Sequence, residues 1–432
     1  MGRYFKSEFF NFEFMRVLNG VPFQHADIGE CMEAAAQIID GNAESWFQAW
    51  QMAAEKTEML AQQAHEAGDR DGERWSLLKT AHYLRSSENI LHLNMNDPRI
   101  LSVSEKSIDF FQRGMCLLDS KVYRLEIPFE DYLLPAYLYM PTSGSQMKGE
   151  KIPLIVQTAG FDSCQEELYF FVASGARQRG YATLTFDGPG QGIVMRKLKK
   201  KLRPDWEVVI SKVLDFVDDF SSGHPELNLD LDRLTLTGNS LGGYFVLRGA
   251  VDSRVKACVS TDGFYDLWLL TDSRLPRWFT NGWRSGWITD DVFNSIFNFA
   301  ARFDIQVAWE FRHGMFAFGV DSPANVLREF MRYTLQEGGK EYLSDVRCPV
   351  MVTGAADTLY FKPEISTTLI WNALEHLDDG KRAIWIAKGV GQGGLQAKIG
   401  AMSVAHQKMF SWMDDQLGIQ RPVEEKLRLE TL

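Results

Sequence analysis

Between about residues 27 and 119 the apolar positions of the chain recur at helical spacing. Trp46, Trp50, Ala53, Ala54, Leu60, Ala61 and Ala64 fall along one face. Asn42 is placed to cap the start of that helix and Gly68 to end it. A second helix is predicted over 72–91, carrying Trp75, Leu78 and Ala81, and a third over about 102–118. Two long helices joined by a short turn resemble a helical repeat, but no fixed period recurs, which argues against a solenoid. At residue 122 the period drops to two. The stretches 122–127 and 132–140 read as strands, with Glu130 and Asp131 as the turn between them.

From there strands and helices alternate, which implies a mostly parallel sheet. The predicted strands are 152–158, 182–186, one that ends at Gly238, then 255–260, 349–354 and 382–387, with a helix over 205–220. The alternation breaks between residues 264 and 318, where 15 of 55 residues are aromatic against 12% in the whole chain. Such a segment is either a helical insertion packed on itself or a cap that walls an apolar cavity. The organisation expected is therefore a helical domain over 1–120, an α/β core over 121–263 and 341–432, and a cap inserted over 264–340.

The chemistry centres on Gly238-Asn-Ser-Leu-Gly242, which follows strand-type residues directly and precedes a helical stretch. A strand that turns sharply into a helix lifts the serine between them above the sheet, and flanking glycines allow the tight turn. Ser240 is the predicted nucleophile. The N–H of Leu241 would stand at the helix N-terminus and hold an oxyanion, with a second N–H from Phe161 in the Ala159-Gly-Phe-Asp162 loop. Asp357, just beyond the strand 349–354, falls where the acid of a Ser…Asp…His order belongs. The histidine should follow the strand 382–387, yet the loop Lys388-Gly-Val-Gly-Gln-Gly-Gly-Leu-Gln-Ala-Lys398 has none. Gln392 and Gln396 stand there, and glutamine cannot take up a proton near neutral pH. His406 reads as the interior of the last helix. A base supplied from elsewhere is open, and His313, in the aromatic segment, is the first candidate for it. The turn Asp187-Gly-Pro-Gly-Gln-Gly192 lacks the spacing of a phosphate-binding loop and reads as a strand exit.

A net charge of -11 argues against a nucleic-acid partner. The one basic run, 196–203, is expected to be a solvated loop. Five scattered cysteines suggest neither a zinc site nor a disulfide framework and fit reduced thiols in the cytoplasm. No run approaches the ~20 apolar residues of a membrane span.

The helical N-terminal region, the Asp187-Gly-Pro-Gly-Gln-Gly turn, Gly-Asn-Ser240-Leu-Gly-Gly and Phe311-Arg-His-Gly-Met-Phe-Ala-Phe-Gly319 together resemble the α/β-hydrolases of fungal polyketide and polyketide–peptide pathways. The nearest kinds are the fusarin- and cytochalasan-type pathway hydrolases. More distant are a melanin heptaketide-shortening enzyme and a bacterial pseudooxynicotine hydrolase. The resemblance implies an α/β-hydrolase fold and a cofactor-free, metal-free serine enzyme that acts on a carbon–carbon bond beside carbonyls of a small polyketide-type substrate. It further implies a homodimer, and ring closure to a pyrrolone-type product. Ser240 and Asp357 match the nucleophile and the acid by position; the distant relatives' histidine has no counterpart. Two alternatives remain open at this point: an ester or lactone hydrolase, and an inactive scaffold that binds a ligand.

Overall fold

The computed structural model describes residues 3–145 and 150–421. Its first helix, α1 (Glu8–Leu18), precedes every element expected from the sequence and is capped by Ser7, whose hydroxyl accepts from the Phe10 N–H. It is buried all round. Phe9, Phe10 and Phe14 pack into the helical domain, Phe12 packs into the sheet side, and the polar Asn11, Glu13 and Arg16 are buried with them. After α2 (Ile28–Gln37) come the long antiparallel neighbours α3 (Ala43–Ala67), α4 (Arg70–Asn89) and α5 (Pro98–Cys116). Asn42 caps α3 by accepting from the Ser45 N–H, and Gly68 ends it at φ +70°, as its lack of a Cβ allows. Trp46 and Trp50, both fully buried, form the centre of this domain with Phe10, Phe14 and Tyr83.

The strands are β1 (Val122–Phe129), β2 (Tyr132–Tyr139), β3 (Ile152–Thr158), β4 (Ala182–Phe186), β5 (Leu229–Asn239) and β6 (Ala257–Thr261). Next come the short hairpin β7 (Gln336–Glu337) and β8 (Lys340–Glu341), then β9 (Val350–Ala355) and β10 (Arg382–Ala387). The main sheet runs β1-β2-β4-β3-β5-β6-β9-β10, antiparallel at β1/β2 and β2/β4 and parallel elsewhere. Its inner strands β3 and β4 are buried at every position, as expected of a parallel sheet covered on both faces. The covering helices include α6 (Ser174–Arg177), α7 (Gly192–Leu198), α8 (Trp206–Gly223), α9 (Leu241–Gly249), and, beyond the aromatic segment, α15 (Thr367–Ala373) and α16 (Met402–Gln416).

Between β6 and β7 the chain forms α10 (Trp268–Arg274), α11 (Arg277–Arg284), α12 (Asp290–Ala300), α13 (Ile305–Phe318) and α14 (Pro323–Phe330). These helices have a small core of their own, built on Trp268, Phe279, Trp283, Phe293 and Phe297. The run 196–203 is not the solvated loop its composition suggests. Arg196 is buried and paired with Glu88 at 2.6 Å, Lys201 donates to the Phe316 carbonyl, and Lys197, Lys200 and Arg203 each meet a carboxylate. The run therefore stitches the sheet to the helical domain and to α13. Among the described residues no helix is long and apolar enough to cross a membrane.

Candidate active site

Ser240 sits between β5 and α9 at φ +57°, ψ −120°. A non-glycine residue there costs of order 1–3 kcal/mol, so the surroundings must enforce it. They do so through backbone packing. A Cβ at position 238 would lie 2.1 Å from the Gly242 carbonyl oxygen, and one at 242 would lie 2.7 Å from the carbonyl oxygens of Thr158 and Ala159. Both glycines are thus fixed by contact with backbone that cannot yield. The Ser240 N–H donates to Thr261 O at 2.8 Å, and its carbonyl accepts from the Gly243 N–H at 2.8 Å.

The Leu241 N–H is the first of α9 and so one of the donors a helix leaves without an internal partner. The Gly160-Phe161 backbone lies beside it: a Cβ on Gly160 would be 3.5 Å from the Ser240 Cβ and 3.9 Å from the Leu241 nitrogen. This loop is held from several directions. Gln191, fully buried in the turn after β4, donates through Nε2 to Ala159 O at 2.6 Å. His313 Nε2, from α13, donates to Phe161 O at 3.2 Å. Arg85 of α4 donates to Asp162 O at 3.1 Å, and Arg16 of α1 to the Asp162 carboxylate at 2.6 Å. The glycine-rich turn is a brace. Asp187 accepts from the N–H groups of Gln165 and Ile193, and burial pushes its carboxyl up to about 8.

A cavity of about 120 Å³ opens over Ser240. Asn239, Ser240, Leu241, Gly160 and Phe161 form its floor, Leu267, Leu270, Trp309 and Phe330 contribute one wall, and Gln396 another. Phe12, Glu13 and Arg16 close it from the helical domain. No histidine is among the lining residues.

The predicted residues therefore divide. Ser240, Leu241, Phe161 and Gln396 come together around the cavity. His313 does not reach it. His313 is fully buried behind the Phe161 carbonyl, packed against the rings of His92 and Trp309 at 4.9 and 5.1 Å. Burial depresses its pKa to about 3, so near neutral pH it is an uncharged hydrogen-bond donor. Asp357 is exposed just past β9; its Oδ2 accepts from the Gly389 N–H at 2.6 Å, outside the cavity. His406 is buried in α16 on the Phe171 carbonyl, 2.8 Å away.

Gln396 occupies the loop in which a triad histidine would stand. Its Nε2 donates to Asp262 O at 2.8 Å and its Oε1 accepts from the Thr358 hydroxyl at 2.8 Å. Beneath it, fully buried Lys398 donates to Asp262 Oδ1 at 2.7 Å and to Gly354 O at 2.9 Å.

Residues 159–390 match the family model described as the alpha/beta hydrolase family. The chain belongs to that family. This hydrolase is 51% identical to the 20-hydroxy-prefusarin hydrolase FUS2 of Gibberella moniliformis over 98% of the chain and 100% of the relative. It is 46% identical to the alpha/beta hydrolase psoB of Aspergillus fumigatus over 99% and 98%, and 38% identical to the hydrolyase ccsE of Aspergillus clavatus over 98% and 99%. The resemblance to hydrolases of fungal secondary-metabolite pathways thus holds across nearly the full length. The crystal structure of the 2,6-dihydroxy-pseudo-oxynicotine hydrolase superposes with a TM-score of 0.68, covering 93% of this chain and 95% of that one, at 20% identity. That likeness speaks for the fold, including the helical N-terminal domain.

Two features of this hydrolase's site carry no signal in local sequence. Glu13 and Arg16 belong to a helix that lies more than two hundred residues before Ser240. The aromatic segment does two things: Phe264 and Trp309 line the cavity, whereas Trp283 packs inside the segment's own core.

Proposed function

We propose that this hydrolase acts on a linear polyketide–amino-acid dicarbonyl and closes it to a pyrrolone-type ring, with Ser240 as the central group of the site. The observation that carries this reading is Gln396 in place of a histidine. General-base activation of serine and of water is worth ~10²–10⁴-fold, and a glutamine cannot supply it. Ring closure asks less of the serine. A carbon between two carbonyls is already acidic, and the enolate oxygen it forms is stabilised by N–H donors such as those of Leu241 and Phe161. The enclosed volume suits the reacting end of such a substrate, with the apolar wall of Leu267, Leu270, Trp309 and Phe330 taking the adjoining chain. Ser240 then acts as a hydrogen-bond donor or transient nucleophile at the reacting carbonyl. The relatives' names, a 20-hydroxy-prefusarin hydrolase among them, support a substrate of this class.

The test compares Ser240→Ala with the wild type on an N-(3-oxoacyl) α-aminoaldehyde, followed by mass spectrometry and ultraviolet absorbance. Loss of a central catalytic group removes several orders of magnitude of rate. Wild-type turnover in Ser240→Ala sinks the assignment. Asp357→Asn, which alters only an exposed loop contact, should stay within about tenfold of the wild type. Hydrolysis of p-nitrophenyl acetate should be slow in both the wild type and His313→Ala. Brisk ester turnover that vanishes in His313→Ala would overturn the ring-closing reading.

A further inference from the structure

Resting on that reading of the cavity, we infer that Glu13, delivered from helix α1 of the N-terminal domain to the cavity that Ser240 floors, is the group that takes the proton from the carbon between the substrate's two carbonyls. Glu13 is 3% exposed and lines the cavity that Ser240 floors. Its Oε2 is engaged, accepting from Asn89 Nδ2 at 2.6 Å and meeting Arg16 Nη1 at 3.4 Å. Its Oε1 makes no hydrogen bond among the described residues, and the residue lines the cavity. One oxygen is therefore anchored and the other is free to meet a ligand. Asn89 also fixes the neighbouring wall, since its carbonyl accepts from Trp309 Nε1 at 2.8 Å.

The charges around Glu13 explain why it can exchange a proton near neutral pH. Arg16 of the same helix and Arg85 of α4 are matched by Asp162 and Glu167, both held below the usual carboxylate range by those arginines. Two cations meet two anions, and Glu13 is the odd acid. From the other sides face Tyr360, which is neutral, and Glu310 of α13, itself paired with Arg274 at 2.8 Å. Burial, with these anions nearby, raises the Glu13 carboxyl to about 7, against the partial relief from Arg16. A base poised there suits abstraction of an acidic carbon-bound proton.

The proton of the carbon between the two carbonyls passes to Glu13 Oε1. The C–H electron pair forms the bond to the aldehyde carbon, and the aldehyde π pair moves to its oxygen, which takes the proton back from Glu13. The product is an isomer of the substrate, a hydroxy-pyrrolidinone. Loss of water then follows as the carboxylate takes the second proton of that carbon and the hydroxyl leaves, one proton and one hydroxide in all. No other reactant is consumed.

The experiment separates proton abstraction from ring closure. N-Hexyl-3-oxobutanamide, which has no aldehyde, is incubated in deuterated buffer, and exchange at the carbon between its carbonyls is followed by NMR against the spontaneous rate. Wild-type exchange should rise with pH through an inflection near 7, and Glu13→Gln should lose ~10²–10⁴-fold of the catalysed rate and the inflection with it. Glu13→Gln keeps an oxygen for Asn89 to donate to, and a thermal melt checks its fold. Should it fail to fold, Asn89→Leu supplies the reading: removing the donor to Oε2 should move the wild-type inflection upward. Full exchange in folded Glu13→Gln, an unshifted inflection in Asn89→Leu, or a wild type that catalyses no exchange overturns the assignment. Catalysed exchange without ring closure of the aldehyde substrate overturns the ring-closing reading and leaves Glu13 standing. Ring closure that is unaffected by Glu13→Gln does the reverse.

Discussion

Lys398→Met tests what holds the Gln396 loop in place. Lys398 is fully buried, and its ammonium has three neighbours: Asp262 Oδ1 at 2.7 Å, Gly354 O at 2.9 Å, and the Trp385 ring, whose centroid is 4.7 Å away. Asp262 is 3% exposed and also accepts from the Thr353 hydroxyl at 2.7 Å, while its Oδ2 has no partner among the described residues. The pair sustains local strain, because Ala397 and Lys398 both stand at left-handed φ, +57° and +60°, worth roughly 1–2 kcal/mol each for residues other than glycine. Removing one member of a buried ion pair costs ~3–5 kcal/mol, since the other charge is left uncompensated. Lys398→Met and Asp262→Asn should each lose about that much, and the double variant should lose less than their sum by about 1–3 kcal/mol. Urea unfolding followed by tryptophan fluorescence reads the midpoints, with a check that the slope is unchanged. A loss under about 1 kcal/mol in Lys398→Met, or costs that add within about 0.5 kcal/mol, would refute the view that this pair pins the loop. With the pin removed, Gln396, which hangs on the Asp262 carbonyl, should also lose its position beside Ser240, so turnover of the aldehyde substrate should fall in the same variant.

Two tryptophans separate cavity from scaffold. Trp309→Ala, which strips a ring from the cavity wall, should weaken binding of a large apolar substrate by ~1–3 kcal/mol; Trp283→Ala, inside the α10–α14 core, should lower the melting temperature with substrate affinity unchanged. Calorimetric titration and thermal melts of both variants check this, and the opposite pattern would exchange their roles. His406 has its pKa lowered to about 4, chiefly by burial, whereas the unfolded chain titrates it near 6.5. The unfolded state thus binds the extra proton between those values, so this group's share of stability is complete above about 6.5 and is lost as pH falls toward 4. His406→Gln should reduce the pH slope of unfolding free energy in that window by up to about 1.4 kcal/mol per pH unit; an unchanged slope would show that His406 is protonated in the fold.

What the sequence displays and what it hides follow from range. The Ser240 turn is visible because everything that shapes it, strand, glycines and helix, lies within a dozen residues. The same is true of α3, whose cap at Asn42 and stop at Gly68 are local chemistry. Strands 152–158, 182–186 and 382–387 have the bounds their apolar runs suggest. The misreadings arise from distant partners. The basic run 196–203 is polar by composition, yet the carboxylates of Glu88, Glu105, Glu130 and Asp131 pair with it and the Phe316 carbonyl accepts from it, from three separate regions. Asp357 follows the right strand, but its side chain turns to the Gly389 N–H. Helix α1 has apolar residues on every side, so it shows no single periodic face, and Glu13 reads as an ordinary helix-surface glutamate until Asn89 and Arg16 are brought to it.

The same distances explain why a serine site of this kind comes with a helical domain. If the Leu241 and Phe161 N–H groups hold the reacting oxygen as proposed, the loop that carries Gly160 and Phe161 must keep its aim, because preorganised donors lose their value if they reorient during the reaction. Short loops with positive freedom at glycine do not hold such an aim by themselves. Here the loop's carbonyls and its Asp162 carboxylate are gripped by Gln191 from the sheet, His313 from the aromatic segment, and Arg16 and Arg85 from the N-terminal helices. His313 and Trp309 stack on one another and on His92, which in turn meets Glu88 at 2.6 Å, the carboxylate that also anchors Arg196. Every layer of the protein thus bears on four residues beside Ser240. On the proposed reading, a substitution in α1 or α4 reaches the site by two routes, through the aim of the Phe161 N–H and through Glu13, which lines the cavity and is held by Asn89, so the N-terminal domain is part of the site rather than an appendage to it.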